Sequence, residues 1–213
     1  MELTKYIHSC VRLTDGDRGL VIDPGGFSEV PVALDGIHAA LVTHEHPDHI
    51  DVEAITLAVN ADPDLRIWAP APVADMLAGL GDRVTTVTPG ETFSAGGLEV
   101  RVFGGQHAQI HRSIPVVANL GYLVEDAVYH PGDSLDVPTA PVPTLLLPIH
   151  APWSKTAEVL DFLIAVRPRQ AYAIHDALLS EVGLGLVAGL LDRIAAPYGP
   201  IYRRLVSGES VEV

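Results

Sequence analysis

Cysteine is nearly absent: Cys10 is the only one in 213 residues, so no disulfide can form within the chain. That fits a reducing compartment and argues against a small, disulfide-stapled scaffold. Basic residues are also scarce, with 13 Lys and Arg against 27 Asp and Glu and a formal charge of −14. Such a surface repels phosphate backbones, so nucleic acid is not an expected partner. A small anionic substrate stays open, because metal charge can dominate a pocket. No apolar run approaches a membrane span. The opening MELTKYIHSC lacks the basic start and apolar core of a secretory signal. The expectation is a cytoplasmic protein that does not engage a membrane.

What remains is ordinary globular material, 48% apolar and 19% charged. It is enough for one domain over residues 1–213, with no linker, repeat or low-complexity tract. The pattern reads as strands at KYIHSCVRL, LVIDPGG, IHAALVTH and LRIWAP. Helices are expected at 50–60 and within PVADMLAGLG. RVTTVTPGETFSAGGLEVRVFGG reads as three strands, and NLGYLVEDAVYHPGD as two with Glu125 and Asp126 at the turn. TLLLPIH and QAYAIHD are buried-type strands, with a helix between them over 155–166. A last helix is expected over 178–194, with an apolar stripe at Leu179, Val182, Leu186, Leu190 and Ile194. Its glycines, at 183, 185 and 189, each cost about 1 kcal/mol relative to Ala. PIYRRLV returns to strand. Strands alternating with helices predict an α/β architecture with helices outside mixed sheets.

Against this background the stretch THEHPDH, ending a short apolar run, packs His44, His46, Asp48 and His49 into six residues. Residues 44 and 46 share one side of an extended backbone. Pro47 breaks the strand and lets Asp48 and His49 aim elsewhere. Three later strands end in the same kind of residue: VFGGQH at His107, VYHPGDS at Asp133 and AYAIHD at His175. In layered α/β proteins strand C-termini converge where ligands bind. Seven nitrogen and carboxylate ligands are too many for one tetrahedral zinc, but suit two metals sharing a carboxylate.

HEHPDH resembles the HxHxDH signature of the metallo-β-lactamase superfamily, and His107, Asp133 and His175 follow in that superfamily's order. The resemblance spans essentially the whole chain. It implies a four-layer αββα sandwich with the site along one edge of the sheets. It further implies that His44, His46 and His107 hold one metal, that Asp48, His49 and His175 hold the other, and that Asp133 bridges them. VIDPGG resembles the family's early strand and Gly turn, which implies Asp23 as a brace for a ligand histidine. IDVEAI departs from the glycine-containing continuation common in glyoxalase II and class B β-lactamases. The compact length and the HSCVRL…VIDPGG opening look more like the branch containing L-ascorbate-6-phosphate lactonase. The basic or extended RNA-gripping parts of the RNA-processing members are not seen. Related small members often associate, which makes a homo-oligomer an expectation.

The remaining candidates each have two readings. His8, read as lying on the first strand, either approaches the site or is a structural histidine. His111 either replaces His107 as ligand or is a loop residue. His150 and Trp153 either line the pocket or pack. His130 is either a brace or part of the sheet, His38 is solvent-facing, and Cys10 is a small buried hydrophobe.

The implied activity is that of a metal-dependent hydrolase. Two ions about 3.5–4 Å apart activate a bridging water to hydroxide. Asp48 and Asp133 are the carboxylates expected to serve turnover. The substrate would be a small-molecule lactone, ester, amide or phosphodiester. Zinc is the first expectation for both ions, and manganese or iron also suits these donors. The alternatives are a non-catalytic metal-binding protein and a di-iron redox protein. The superfamily's oxygen-reducing members couple to a flavin domain, for which this length has no room.

Overall fold

The apolar runs pair into two seven-stranded mixed sheets in the computed structural model, which describes residues 1–213 apart from the side chain of residue 195. The first sheet holds β1 (Glu2–Lys5), β2 (Val11–Asp15), β3 (Arg18–Ile22), β4 (Ala39–Leu41), β5 (Arg66–Ala69), β6 (Val84–Thr86) and β14 (Ser210–Glu212). Its order is β14-β1-β2-β3-β4-β5-β6. The second sheet holds β7 (Thr92–Ala95), β8 (Leu98–Gly104), β9 (Leu120–Val124), β10 (Val128–His130), β11 (Thr144–Pro148), β12 (Gln170–Ile174) and β13 (Ile201–Arg203). Its order is β13-β12-β11-β10-β9-β8-β7.

The sheets stack face to face over a shared apolar layer that includes Leu13, Leu20, Leu41, Val100, Tyr122 and Leu146. The outer face of the first sheet is covered by α1 (Val30–Ala33), α2 (Val52–Ala61) and α3 (Ala71–Met76), with Ile55, Val59 and Val73 buried beneath them. The outer face of the second sheet is covered by α4 (Thr156–Val166) and α5 (Glu181–Ala195), which bury Val159, Phe162, Leu163 and Leu191. This is the αββα sandwich. Among the described residues, no helix is long and apolar enough to cross a membrane.

Direction matters more for the site than order. β3, β4, β5 and β6 run parallel, as do β10, β11, β12 and β13. β8 is antiparallel to β9, and β9 to β10, so β8 points the same way as β10. The C-terminal ends of β8, β10 and β12 therefore open on one edge of the second sheet. The loop after β4 meets that edge, because Leu120 N–H donates to the Thr43 carbonyl at 2.9 Å.

Two expectations need correction. KYIHSCVRL is not one strand: β1 ends at Lys5, β2 starts at Val11, and residues between them form a tight loop. Tyr6 N–H donates to Cys10 O at 2.9 Å and closes it. The stripe assigned to the last helix is the wrong face. Val182 is 82% and Leu186 62% exposed, while Leu184, Val187 and Leu191 are buried. The helix starts at Glu181, where the Ser180 hydroxyl accepts from Gly183 N–H at 3.3 Å. In VGLGLVAGLL both sets repeat at helical spacing, so periodicity does not say which face turns inward.

Candidate metal centre

The local sequence shapes each strand end into a turn. After β4, Thr43 is the hub of the first one. Its N–H and hydroxyl donate to Asp23 Oδ1 and Oδ2 at 2.7 and 2.8 Å. The same hydroxyl lies 3.0 Å from His44 Nδ1. Asp23 directly follows β3 in the left-handed region (φ 53°), and its Oδ2 takes a 2.6 Å contact from His49 Nδ1. Both Asp23 and His49 are fully buried. Gly25 follows, and a Cβ there would stand 1.9 Å from the Asp48 carbonyl oxygen. Only glycine lets the DPGG loop lie this close against HEHPDH. Gly26 N–H then donates to Pro47 O at 2.8 Å.

On the opposite sheet Asn119 organises the turn that carries Asp133. Its Nδ2 donates to Pro131 O and its Oδ1 accepts from Asp133 N–H, both at 2.9 Å. Gly132 (φ 62°) leaves no space for a side chain against Asn119 and Thr43. His130 accepts from Gly132 N–H through Nδ1 and contacts Ser9 O through Nε2 at 2.9 Å. His130 is thus a brace in the sheet edge, buried between the turn and the β1–β2 loop.

These turns bring His44, His46, Asp48, His49, His107, Asp133 and His175 together. Two clusters form, each with its donor atoms within 4.8 Å of one another: His44, His46, His107 and Asp133, and His8, Asp48, His49 and His175. Asp133 lies against both. Its Oδ1 is 3.1 Å from His49 Nε2, and its Oδ2 is 3.3 Å from His107 Nε2 and 3.2 Å from His175 Nε2. Four imidazoles are held from behind at Nδ1: His44 by Thr43, His49 by Asp23, His107 by Ala108 O and His175 by His150 O. Such contacts fix the tautomer and leave Nε2 facing inward.

The inward atoms are unsatisfied. Nε2 of His49, His107 and His175 and Oδ1 of Asp133 are buried and make no hydrogen bond. Each such atom costs about 1–3 kcal/mol. Four of them, all of metal-ligand type and all facing one another, fit divalent cations. Burial disfavours charge on His44 and holds its pKa well below the usual imidazole range. Burial works against charge on His49 too, but the carboxylates of Asp133 and Asp23 outweigh it and raise that pKa well above the usual value. Burial pushes the Asp133 carboxyl up, yet His49 and the other imidazoles around it hold it well below the carboxylate range.

Of the flanking candidates, Trp153 reaches the centre: its indole N–H donates to Asp133 Oδ2 at 2.7 Å. His150 contributes its backbone carbonyl to His175, and its half-buried side chain is not among the cluster donors. His111 is exposed, contacts Ser113 Oγ at 2.6 Å and stands outside both clusters. Cys10 is buried, and burial pushes its thiol up to about 12, which leaves it inert. Thr43 and Asn119 were not singled out in the sequence. A small polar residue beside HEHPDH, and one just before a buried strand, give no signal that separates a brace from an ordinary loop residue.

The architecture and this edge cluster agree with what the chain is related to. Residues 2–175 match the family model described as the beta-lactamase superfamily domain. The chain belongs to the metallo-β-lactamase superfamily. Protein Rv0786c of Mycobacterium tuberculosis is 39% identical over 196 residues, covering 90% of this chain and 91% of its own. Among solved structures, Igni18, a metallo hydrolase from the archaeon Ignicoccus hospitalis, superposes with TM-score 0.75 at 17% identity over 99% of this chain and 97% of its own. CmlA, a diiron β-hydroxylase from Streptomyces venezuelae, superposes with TM-score 0.77 at 18% identity over 100% of this chain and 54% of its own. At such identities the two structures speak to the fold, and the superfamily assignment rests on the sequence match.

Proposed function

We propose that this protein is a metal-dependent hydrolase that works with two divalent ions on a small-molecule lactone, ester, amide or phosphodiester. The observation that carries this reading is Asp133, a single buried carboxylate set between two clusters of inward-facing imidazoles. His44, His46 and His107 would hold one ion and Asp48, His49 and His175 the other, with Asp133 shared. Bound there, the ions supply an activated water and a Lewis-acid contact for the substrate oxygen. Zinc suits the all-nitrogen-and-oxygen donor set, as do manganese and iron.

The chain's own groups do the positioning. Trp153 occupies one lone pair of Asp133 Oδ2 and so fixes the plane of the carboxylate. A carboxyl held well below its usual range is a poor proton carrier at neutral pH, so orienting a nucleophile is the role that fits Asp133. Beside the centre lies a cleft of about 390 Å³, lined by Gln106, Gln109, Ser134, Asp136, Trp153 and Glu158. Amides, a hydroxyl and carboxylates around one aromatic face favour a polar molecule over a greasy one. With a charge of −14 the protein is set for a small substrate rather than a nucleic acid, and its single cysteine suits a reducing cytoplasm.

The similarity to CmlA keeps one competing reading in play, a di-iron redox protein. Metal analysis of protein purified without added metal, followed by assays on lactones, aryl esters and phosphodiesters, separates the two. Close to two equivalents per chain and chelator-sensitive hydrolysis are expected. Iron in a sample that consumes oxygen when reduced would favour the redox reading. Failure to bind metal even after reloading would sink both.

A further inference from the structure

His8 stands among the donors of the second cluster, yet it is not one of the ligands assigned above. It sits in the tight loop between β1 and β2, fully buried, with a left-handed backbone (φ 63°) that a non-glycine residue seldom adopts. The loop is pinned from two sides. His8 O accepts from His175 N–H at 3.1 Å, and Ser9 O lies 2.9 Å from His130 Nε2. Backbone strain held in place by surrounding contacts is a feature of functional sites. The His8 side chain places Nε2 3.1 Å from Asp48 Oδ2 and leans its ring on His175, with centroids 3.9 Å apart.

Ring spacing separates two roles for this imidazole. Two histidines that share one ion, each through one ring nitrogen, keep their ring centres about 5 Å apart, given Zn–N bonds of about 2.0–2.1 Å. The ring pairs among the ligands assigned to each ion follow that spacing, with His44–His46 at 4.7 Å, His44–His107 at 4.9 Å, His46–His107 at 4.7 Å and His49–His175 at 5.4 Å, whereas His8 stands 3.9 Å from His175 and 5.9 Å from His49. His8 and His175 are too close to share an ion in this way. His8 also differs at its other nitrogen. Its Nδ1 is buried without a partner, whereas His44, His49, His107 and His175 each have theirs braced. An Nε2–H tautomer, donating to Asp48 and leaving only a bare lone pair at Nδ1, avoids burying an unsatisfied N–H.

We propose that His8 is a positioning residue for the second metal: it donates to Asp48 Oδ2 and braces His175, so that the carboxylate and the imidazole are held in place before the ion arrives. Asp48 Oδ2 has two lone pairs. With one taken by His8, the other faces His175 Nε2 at 3.5 Å and His49 Nε2 at 3.8 Å. Asp48 is half-buried at the rim, and no other side chain donates a hydrogen bond to it among the described residues. Without His8 its carboxylate would rotate freely, and the second ion would have to order it on binding.

This inference rests on the two-metal reading, and the test separates their failures. Metal-stripped wild type, His8→Asn and His8→Gln are titrated with Co(II), following the visible absorption and the heat of binding. Asn tolerates the left-handed backbone but is too short to reach Asp48. Gln carries an N–H at the position of His Nε2. Thermal melts with metal absent establish that both variants fold. Wild type should take two equivalents. His8→Asn should keep the first with unchanged affinity and bind the second 10–100-fold more weakly, the usual loss when a ligand's support is removed. His8→Gln should recover most of that loss, which a ligand role would not allow because an amide is a poor substitute for imidazole. Wild-type affinity for the second ion in folded His8→Asn overturns the proposal. Equal loss in both folded variants also overturns it, in favour of direct ligation. No Co(II) uptake by wild type would overturn the two-metal reading itself.

Discussion

Asp23→Asn tests the central brace with the smallest change. Asp23 sits at φ 53°, a conformation that Asn accepts better than most residues, so the backbone need not move. In the wild type three donors converge on its carboxylate: Thr43 N–H, the Thr43 hydroxyl and His49 Nδ1. Asn has one oxygen to offer in place of two. If it keeps Thr43 N–H, its amide N–H group faces the hydroxyl and the imidazole. The hydroxyl can rotate and accept. His49 can accept only with Nδ1 bare and its proton on Nε2, the atom that faces Asp48 and Asp133. The substitution therefore places an N–H where a lone pair is needed for a metal.

Two charge-assisted hydrogen bonds are lost or weakened in a fully buried site, at about 1.5–3 kcal/mol each. A destabilisation of about 3–6 kcal/mol in the metal-free protein follows. Second-metal affinity should fall by about 10–100-fold on top of this. Urea unfolding of the stripped protein measures the first quantity, and metal titration the second. Wild-type stability together with wild-type affinity for both ions would refute the reasoning, because no route around the tautomer conflict is open to a buried His49.

Gly25→Ala puts a Cβ 1.9 Å from the Asp48 carbonyl, and since the obstacle is backbone the HEHPDH loop must shift. We expect about 1–3 kcal/mol of lost stability and reduced metal content, and a variant with a wild-type melt and two ions would contradict this. Trp153 bonds to Asp133, whereas the other tryptophan, Trp68, stacks on Phe93 with centroids 5.8 Å apart. Metal addition should therefore change tryptophan emission in the wild type and not in Trp153→Phe; a change that persists in the variant would place the reporter elsewhere. The stripped protein should lose stability as pH falls below about 6.5. His8, His44 and His130 are buried with lowered pKa, so there the unfolded chain binds more protons, costing up to about 1.4 kcal/mol per pH unit for each. His49, whose pKa is raised, is protonated in both states in that range and does not offset the slope; denaturant midpoints that stay flat between pH 7 and 5 would contradict the assignment.

The layers and the edge of the site were legible because they are written in local code. Each apolar strand closes on a ligand-type residue, and parallel direction carries β10 and β12 to the same edge. What misled was symmetry of pattern. The last helix is apolar on two faces, and only packing against the second sheet selects Leu184, Val187 and Leu191. Residues 6–10 read as strand rather than loop for a different reason. YIHSCV is rich in residues that favour strands and contains no glycine or proline to mark a turn.

The same loop decides between the two readings of His8. A histidine on a strand points to one face or the other, whereas a histidine at φ 63° on a pinned loop can turn its ring onto Asp48 and His175. His175 and Asp23 share the left-handed conformation, at φ 58° and 53°. For glycine this conformation can be anticipated, since glycine accepts it without strain. For Asp and especially His it cannot, because the conformation is imposed by distant partners: His8 O on His175 N–H, and Thr43 on Asp23. The ligands were readable because their chemistry is in the side chain. The residues that aim them were less readable because their work depends on backbone angles set by long-range contacts. A search for positioning groups in related chains is therefore better begun from non-glycine residues at positive φ than from histidine spacing.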